Sequence, residues 1–282
     1  MDLMSDSPYR GRLISVGTMH GKQSQLAPPF RAVLGADLVT PPDLDTDQFG
    51  TFTGEVPRSI GALEAARAKA RLAMDASGLP YGLASEASYG SLPPTGWCGH
   101  EEILLFCDEL LGIEVLEGHR TTSVPGASHR VNAADKLPAA MIAVLPVQAL
   151  IVRPSGVTGG ITKGITNSEV LRSAITAAAA RSPDRMAVVE PDLRAHHNPS
   201  RRQVIANLAD TLARRLAIRC PGCTTPGFGR VRTEPGLPCR ICNSPTRLVH
   251  NEIHGCAACP YLLRHPVAAL WADPTCCPEC NP

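Results

Sequence analysis

The chain of 282 residues is long enough for two domains or one large one, and a hydrophobic content of 44% supplies a proper core. With 27 basic and 26 acidic residues the net charge is +1, which excludes a polycation that grips nucleic acid by bulk charge; any basic site must be local. No apolar run is long enough to span a membrane, and the amino terminus lacks the basic, apolar, small-residue order of an export signal. The expected location is therefore the cytoplasm, and the 11 cysteines are expected to be reduced thiols rather than disulfides.

Residues 1–216 read as alternating strands and helices, the pattern of an α/β domain. The first strand, Leu13 to Val16, leads through Gly17-Thr-Met-His-Gly-Lys22 into a helix over Gln23 to Leu34. Such a turn presents backbone amides to phosphate, with Lys22 as a point charge, although an ordinary strand–helix turn with a solvated lysine has the same sequence. A strand at Leu38 to Thr40 precedes Asp43, Asp45 and Asp47, which alternate in an extended segment ahead of Phe49-Gly-Thr-Phe-Thr-Gly-Glu55. A helix over Ser59 to Ser77 is stopped by Gly78-Leu-Pro80, with glycine just past the end and proline beyond it.

The strand Tyr81 to Ser85 ends at Glu86, inside Ala84-Ser-Glu-Ala-Ser-Tyr-Gly90. Carboxylates at the carboxyl ends of strands lie on the ligand-binding rim of an α/β sheet, where they can hold magnesium and through it phosphates. Glu86 is the best placed; Asp43, Asp45 and Asp47 equally suit turn capping. Strands follow at Glu102 to Phe106 and Ile113 to Leu116, then a polar stretch from His119 to Leu137 reads as a long loop. Ala149 to Val152 and Met186 to Val189 are strands, with a helix over Asn167 to Arg181 between them.

Glu190, Asp192, Arg194, His196, His197, Asn198, Arg201 and Arg202 straddle the end of that strand and the start of a helix over Pro199 to Leu216. Asn198-Pro199 is a helix amino cap with proline at the first position. The others are costly to pack unless they face water or a ligand. Arg194 and Arg201 suit bidentate phosphate contacts, and His196 or His197 suits an acid, base or metal ligand. Ten arginines between Arg194 and Arg247 face only Asp210 and Glu234, so a nucleic-acid surface is the rival expectation. The few aromatics nearby, Phe228, Tyr261 and Trp271, argue against a reader that stacks bases.

Nine cysteines follow residue 219, and eight of them form the pairs Cys220–Cys223, Cys239–Cys242, Cys256–Cys259 and Cys277–Cys280, separated by 15, 13 and 17 residues. Each Cys-x-x-Cys turn aims two sulfurs at one ion, so the four turns predict two structural zinc ions in a ribbon-like domain over residues 217–282. Sequential and crossed pairing of the turns both fit. Cys276 can replace Cys277, and His250, His254 and His265 are further possible ligands.

Val16-Gly-Thr-Met-His-Gly-Lys22, Gly61-Ala-Leu-Glu-Ala-Ala-Arg-Ala-Lys-Ala70, Ser77-Gly-Leu-Pro80, Gly82-Leu-Ala-Ser-Glu-Ala-Ser-Tyr-Gly90, Arg120-Thr-Thr and Gly160-Ile-Thr-Lys-Gly164 resemble the motif order of the inosine and xanthosine triphosphate pyrophosphatases over about residues 12 to 182. That resemblance implies a mixed sheet flanked by helices, with Lys22 on the triphosphate and Glu86 serving a metal-activated water. The family's usual asparagine near His20 is replaced here, and its acidic pair appears as Ser85-Glu86. Gly50-Thr-Phe-Thr-Gly-Glu55, Glu190-Pro-Asp-Leu-Arg-Ala-His-His-Asn-Pro-Ser-Arg201 and the stretch from Gly236-Leu-Pro-Cys to Cys280-Asn-Pro look more closely like an uncharacterised bacterial family of unknown function. The expected activity is metal-dependent hydrolysis of a nucleotide or other phosphorylated substrate. Glu86, Asp192 and His196 would be catalytic, Lys22, Arg194 and Arg201 would bind substrate, and Mg2+ would assist. The alternative is a non-enzymatic nucleic-acid- or protein-binding module.

Overall fold

The computed structural model describes residues 7–19, 21–51, 55–92, 96–124 and 126–282. It is an α/β structure with three sheets. The first has the order β2-β1-β3-β4-β5, with β1 at Leu13–Val16, β2 at Asp37–Val39, β3 at Tyr81–Leu92, β4 at Trp97–Asp108 and β5 at Ile113–Thr121. β1 runs parallel to both β2 and β3, whereas β3, β4 and β5 form an antiparallel meander, so the sheet is mixed.

Helix α1, Gln23–Pro29, continues into a wider π-helical turn over Phe30–Leu34. The expected single helix is broken in this way because Pro28 and Pro29 lack amide donors. Helix α2, Ala62–Ser77, starts where the Gly61 amide donates to Glu64 Oε2 at 3.1 Å and ends at Gly78, whose φ of 67° is the left-handed stop the sequence predicts.

Alternation along the strands sorts side chains to two faces. Leu83, Leu104 and Phe106 pack with Leu26 of α1, with Phe30 of the π-helical turn and with Ile205, Leu208 and Leu212 of α5, Pro199–Ala217. Ala84, Ile103 and Leu105 pack on the opposite face against Ala66, Ala70 and Met74 of α2.

The second sheet is antiparallel in the order β6-β9-β7-β8, from His129–Val131, Leu150–Pro154, Thr162–Ile165 and Ala187–Pro191 for β6, β7, β8 and β9. The short helix α3, Ala139–Ala143, and the longer α4, Ser168–Arg181, cover its apolar face through Met141, Leu171, Ile175 and Ala178. Asn167 caps α4 by accepting the Glu169 amide at 2.7 Å.

Two expectations need correction. The stretch His119 to Leu137 is not a loop throughout: β5 runs on to Thr121 and β6 occupies His129–Val131, both held by neighbouring strands rather than by periodic sequence. Glu86 does not end its strand either, because β3 continues to Leu92 in a long hairpin with β4 and Glu86 pairs with Ile103 within it. His20 and Phe52-Thr-Gly54 lie outside the described residues.

The cysteine-rich end folds on a small antiparallel sheet of β10, Gly229–Pro235, β11, Val249–Gly255, and β12, Leu262–Pro266. Its sequence repeats itself. Cys220-Pro-Gly-Cys-Thr-Thr-Pro226 and Cys239-Arg-Ile-Cys-Asn-Ser-Pro245 close the same turn, with Thr224 and Asn243 at φ of 63° and 61° and amide bonds from Cys220 to the Thr225 carbonyl and from Cys239 to the Ser244 carbonyl.

Candidate functional site

β1 is the point where the first sheet changes direction: the connection through α1 lays β2 on one side, and the return through α2 lays β3 on the other. In open α/β sheets ligands bind outside the carboxyl end of such a strand. Here that position holds Gly17, Thr18, Met19, Gly21 and Lys22. Gly17 has no room for a side chain, because a Cβ there would collide with the Lys69 carbonyl, so the glycine lets α2 press against the strand end.

The structure brings two of the expected residues together at this place. Lys22 Nζ, 7% exposed, donates to the Ser85 carbonyl at 3.2 Å and to Ser85 Oγ at 2.8 Å, and has no carboxylate within ion-pair distance among the described residues. Desolvation and then the nearby Arg201 charge pull its pKa down to about 8. Glu86, next along β3, lies on the α2 face, where Oε2 meets Lys69 Nζ at 2.5 Å and Oε1 lies 3.7 Å from Arg58. Burial raises the Glu86 pKa, but Lys69 and Lys22 outweigh it, and the carboxyl is held below its usual range.

On the other face, Glu102 of β4 takes Arg201 of α5 through Nε at 2.6 Å and Nη2 at 3.2 Å, and lies 3.3 Å from His100 Nε2. Burial works against ionisation there too, yet Arg201 and His100 prevail and hold Glu102 down to about 2. The Tyr89 and His100 rings stack at 4.5 Å and 15°. The charge network thus straddles the sheet: four cations, Lys22, Arg58, Lys69 and Arg201, surround Glu86 and Glu102. Beside it opens a cavity of about 310 Å³ lined by Gly50, Thr51, Arg58, Glu86, Tyr89 and Leu193.

Asp192 stands apart from Lys22 and Glu86. Its fully buried carboxylate accepts the Arg194 side chain at 2.7 Å, the Arg194 amide at 3.1 Å and the Gly164 amide at 3.1 Å, with His197 at 4.0 Å. Burial raises the Asp192 pKa, but these donors win and lower it. The group meets the cavity through Leu193, whose carbonyl accepts Arg201 Nη1 at 2.8 Å. His196 packs against His197, ring centres 4.0 Å apart. Arg201 is therefore buried between Glu102 and Leu193 instead of facing solvent, and Arg215 likewise turns inward to Glu117 and to the Leu116 and Gly227 carbonyls.

Sequence reasoning missed Lys69, Arg58, Glu102 and His100. A signal for Lys69 existed, since it falls at helical spacing from the buried Ala65, Ala66 and Ala73, where a lysine must find a partner. Arg58 carried none, because its partners, Ala87 and Ser88, come from distant β3, whereas His100 stands two positions before its partner Glu102 on β4, a spacing that puts both on one face of the strand.

The eight cysteines form two groups in crossed order: Cys220, Cys223, Cys256 and Cys259, and Cys239, Cys242, Cys277 and Cys280. The sheet dictates this order. The turn between β11 and β12 returns beside the start of β10 at one end, where Gly229 pairs with Gly255, while the chain leaving β10 and the chain leaving β12 meet at the other. Cross-turn sulfurs are 3.8 and 3.5 Å apart in the first group, and 3.8 and 3.5 Å in the second. Tetrahedral Zn–S bonds of about 2.3 Å require about 3.8 Å between sulfurs. Both tetrathiolate sets therefore fit a metal ion, and zinc fits their donor chemistry. Cys276 is exposed and lies outside both groups, and His250, His254 and His265 also lie outside them; it is Cys277 that joins the second group.

Among the described residues no other set of three His, Cys, Asp or Glu ligands converges, so the magnesium expected beside Glu86 finds no ligand set. No helix among them is long and apolar enough to cross a membrane. No curated protein and no solved structure matches the chain. A family profile described as a domain of unknown function, DUF6671, matches residues 69–282, a span that holds Lys69, Glu86, Glu102, Arg201 and all eight zinc-type cysteines. The chain belongs to this family.

Proposed function

We propose that the chain is a hydrolase acting on a phosphorylated small molecule, of nucleotide size by the volume of its cavity, with residues 217–282 as a structural two-zinc domain. The observation that carries this reading is the surplus of cations at the sheet's switch point: the buried Lys22, Lys69 and Arg201 and the solvent-facing Arg58 against two buried carboxylates, next to an open cavity. Such a surplus is costly in an apolar interior and is relieved by an anion. Arg58, which lines the cavity, supplies donors to phosphate, and Lys22, buried behind Ser85, adds positive charge that counts for more in its desolvated setting as negative charge shifts in the transition state.

Glu86 stays ionised because Lys69 holds it, and it acts as the acceptor that orients an attacking water. Asp192 is a positioning residue that fixes Arg194, with His196 beside it on the far rim. Magnesium does not fit the residues present. The Glu86 and Glu102 oxygens already face Lys69, Arg58 and Arg201, and no step of the reading depends on the ion.

The test is a panel of nucleotides with and without divalent cations, reading phosphate and pyrophosphate release. A positively positioned carboxylate is worth about a hundredfold or more, so Glu86→Gln should lower turnover by at least that factor. Wild-type turnover in a folded Glu86→Gln variant would remove Glu86 from the reaction. Absence of both turnover and binding across the panel would remove the hydrolase reading itself.

A further inference from the structure

A second cavity, of about 240 Å³, lies against the first and is lined by Tyr89, His100, His119, Thr121, Ser200 and Arg201. The two share a wall. Tyr89 lines both, and the Arg201 bond to the Leu193 carbonyl spans from a lining residue of one to a lining residue of the other. Their chemistry differs sharply. The first cavity presents Arg58 and Glu86. The second has no carboxylate among its described lining residues, and Arg201, its one permanent cation, is already committed to Glu102. What remains there is two imidazoles, a phenol and hydroxyls, polar groups that donate or accept without a permanent charge, beside the apolar Val124 and Val204.

We infer that this second cavity is the subsite for the uncharged organic half of the ligand, a planar hydrogen-bonding heterocycle, so that the substrate class is a nucleoside phosphate lying across Tyr89. The inference rests on the phosphate reading of the first cavity. The flat wall is preassembled: Tyr89 stacks on His100 at 4.5 Å and 15°, and His100 is fixed from behind by Glu102. A rigid aromatic wall rewards a flat ligand, which gains dispersion contact without ordering the protein further. Burial pushes the Tyr89 hydroxyl up to about 12, so it stays a donor at neutral pH. His119 and Thr121 of β5 and Ser200 at the start of α5 ring the opening with the polar atoms that distinguish one heterocycle from another.

Calorimetry on the full zinc-loaded chain separates the two halves. The probes are inorganic tripolyphosphate, ATP, GTP and the matching nucleosides. Tripolyphosphate should bind, at least one nucleotide should bind about tenfold or more tighter, and Lys22→Ala should weaken both. His119→Ala, at an exposed position that lines the second cavity alone, should erase the nucleotide's advantage while leaving tripolyphosphate affinity unchanged, and Tyr89→Leu, in the shared wall, should erase the advantage whatever it does to tripolyphosphate. Tripolyphosphate binding with no nucleotide advantage, or an advantage that survives both substitutions, would overturn the subsite and leave the phosphate reading standing. Failure of every probe would overturn the phosphate reading and the subsite with it.

Discussion

The two ends of this chain solve the problem of a polar interior in opposite ways. In the cysteine-rich end, β12 is exposed along its whole length and few residues besides Phe228, Leu237 and Ile253 form an apolar centre, so order depends on the two tetrathiolate groups. In the α/β part, three apolar clusters supply the order, and that surplus lets the first sheet hold three buried cations, Lys22, Lys69 and Arg201, with the carboxylates of Glu86 and Glu102. The comparison teaches a division of labour: buried charge sits where packing is abundant, and clustered thiols fit for a metal sit where it is scarce.

Metal removal should have the largest effect. Purified protein should contain two zinc ions per chain, and chelation should abolish amide-exchange protection over residues 220–280 while residues 13–216 keep theirs. One ion or none, or loss of protection in both parts together, would break the contrast and the division at residue 217. Next comes Glu102→Gln, which leaves the buried Arg201 guanidinium without its counter-charge and should cost on the order of 3–5 kcal/mol in denaturant unfolding. Adding Arg201→Met should restore part of it. A single substitution that costs nothing would show that the network is wet rather than buried.

The third effect is a pH dependence. Lys22 has a pKa of about 8 in the free protein, and a bound phosphate raises it. Binding is therefore at full strength below pH 8 and weakens as pH rises above it, by up to about tenfold per pH unit. Titration calorimetry with tripolyphosphate between pH 6.5 and about 9.5 reads this directly, and Lys22→Met should flatten the profile. The smallest effect belongs to the exposed arginines. Arg214 pairs with Asp210 one turn away on α5, open to water, and Arg214→Ala should leave the thermal midpoint unchanged. A clear fall would mean that the basic face of α5 contacts something the apolar clusters do not explain.

Much of the framework was legible because it is local. Cysteine spacing announces paired metal turns, and the strand and helix patterns from Leu13 to Leu216 hold because each carries its own periodicity and stop signals. The site was legible only in fragments. Lys22 and Glu86 were visible as single residues, but their setting depends on Lys69, 17 positions from Glu86, and on the pairing of Glu102 with Arg201 across 99 positions. The length of the β3–β4 hairpin was hidden as well, since Ser88 to Gly90 looks like a turn and becomes strand only by pairing with Gly99 to Glu101. Crossed pairing of the cysteine turns was open for the same reason: it follows from the register of β10 on β11, which no single turn encodes.

That crossed order has a consequence during synthesis. As the chain leaves the ribosome, Cys220, Cys223, Cys239 and Cys242 are complete as a set of four thiols before Cys256 exists, and a passing zinc ion can bind all four in the wrong combination. Correct assembly has to wait for β11 to pair with β10 and deliver Cys256 and Cys259, and the second group waits for Cys277 and Cys280. Replacing Cys280 by serine alone would leave the second group with three sulfurs and release Cys239 from its partner 3.8 Å away.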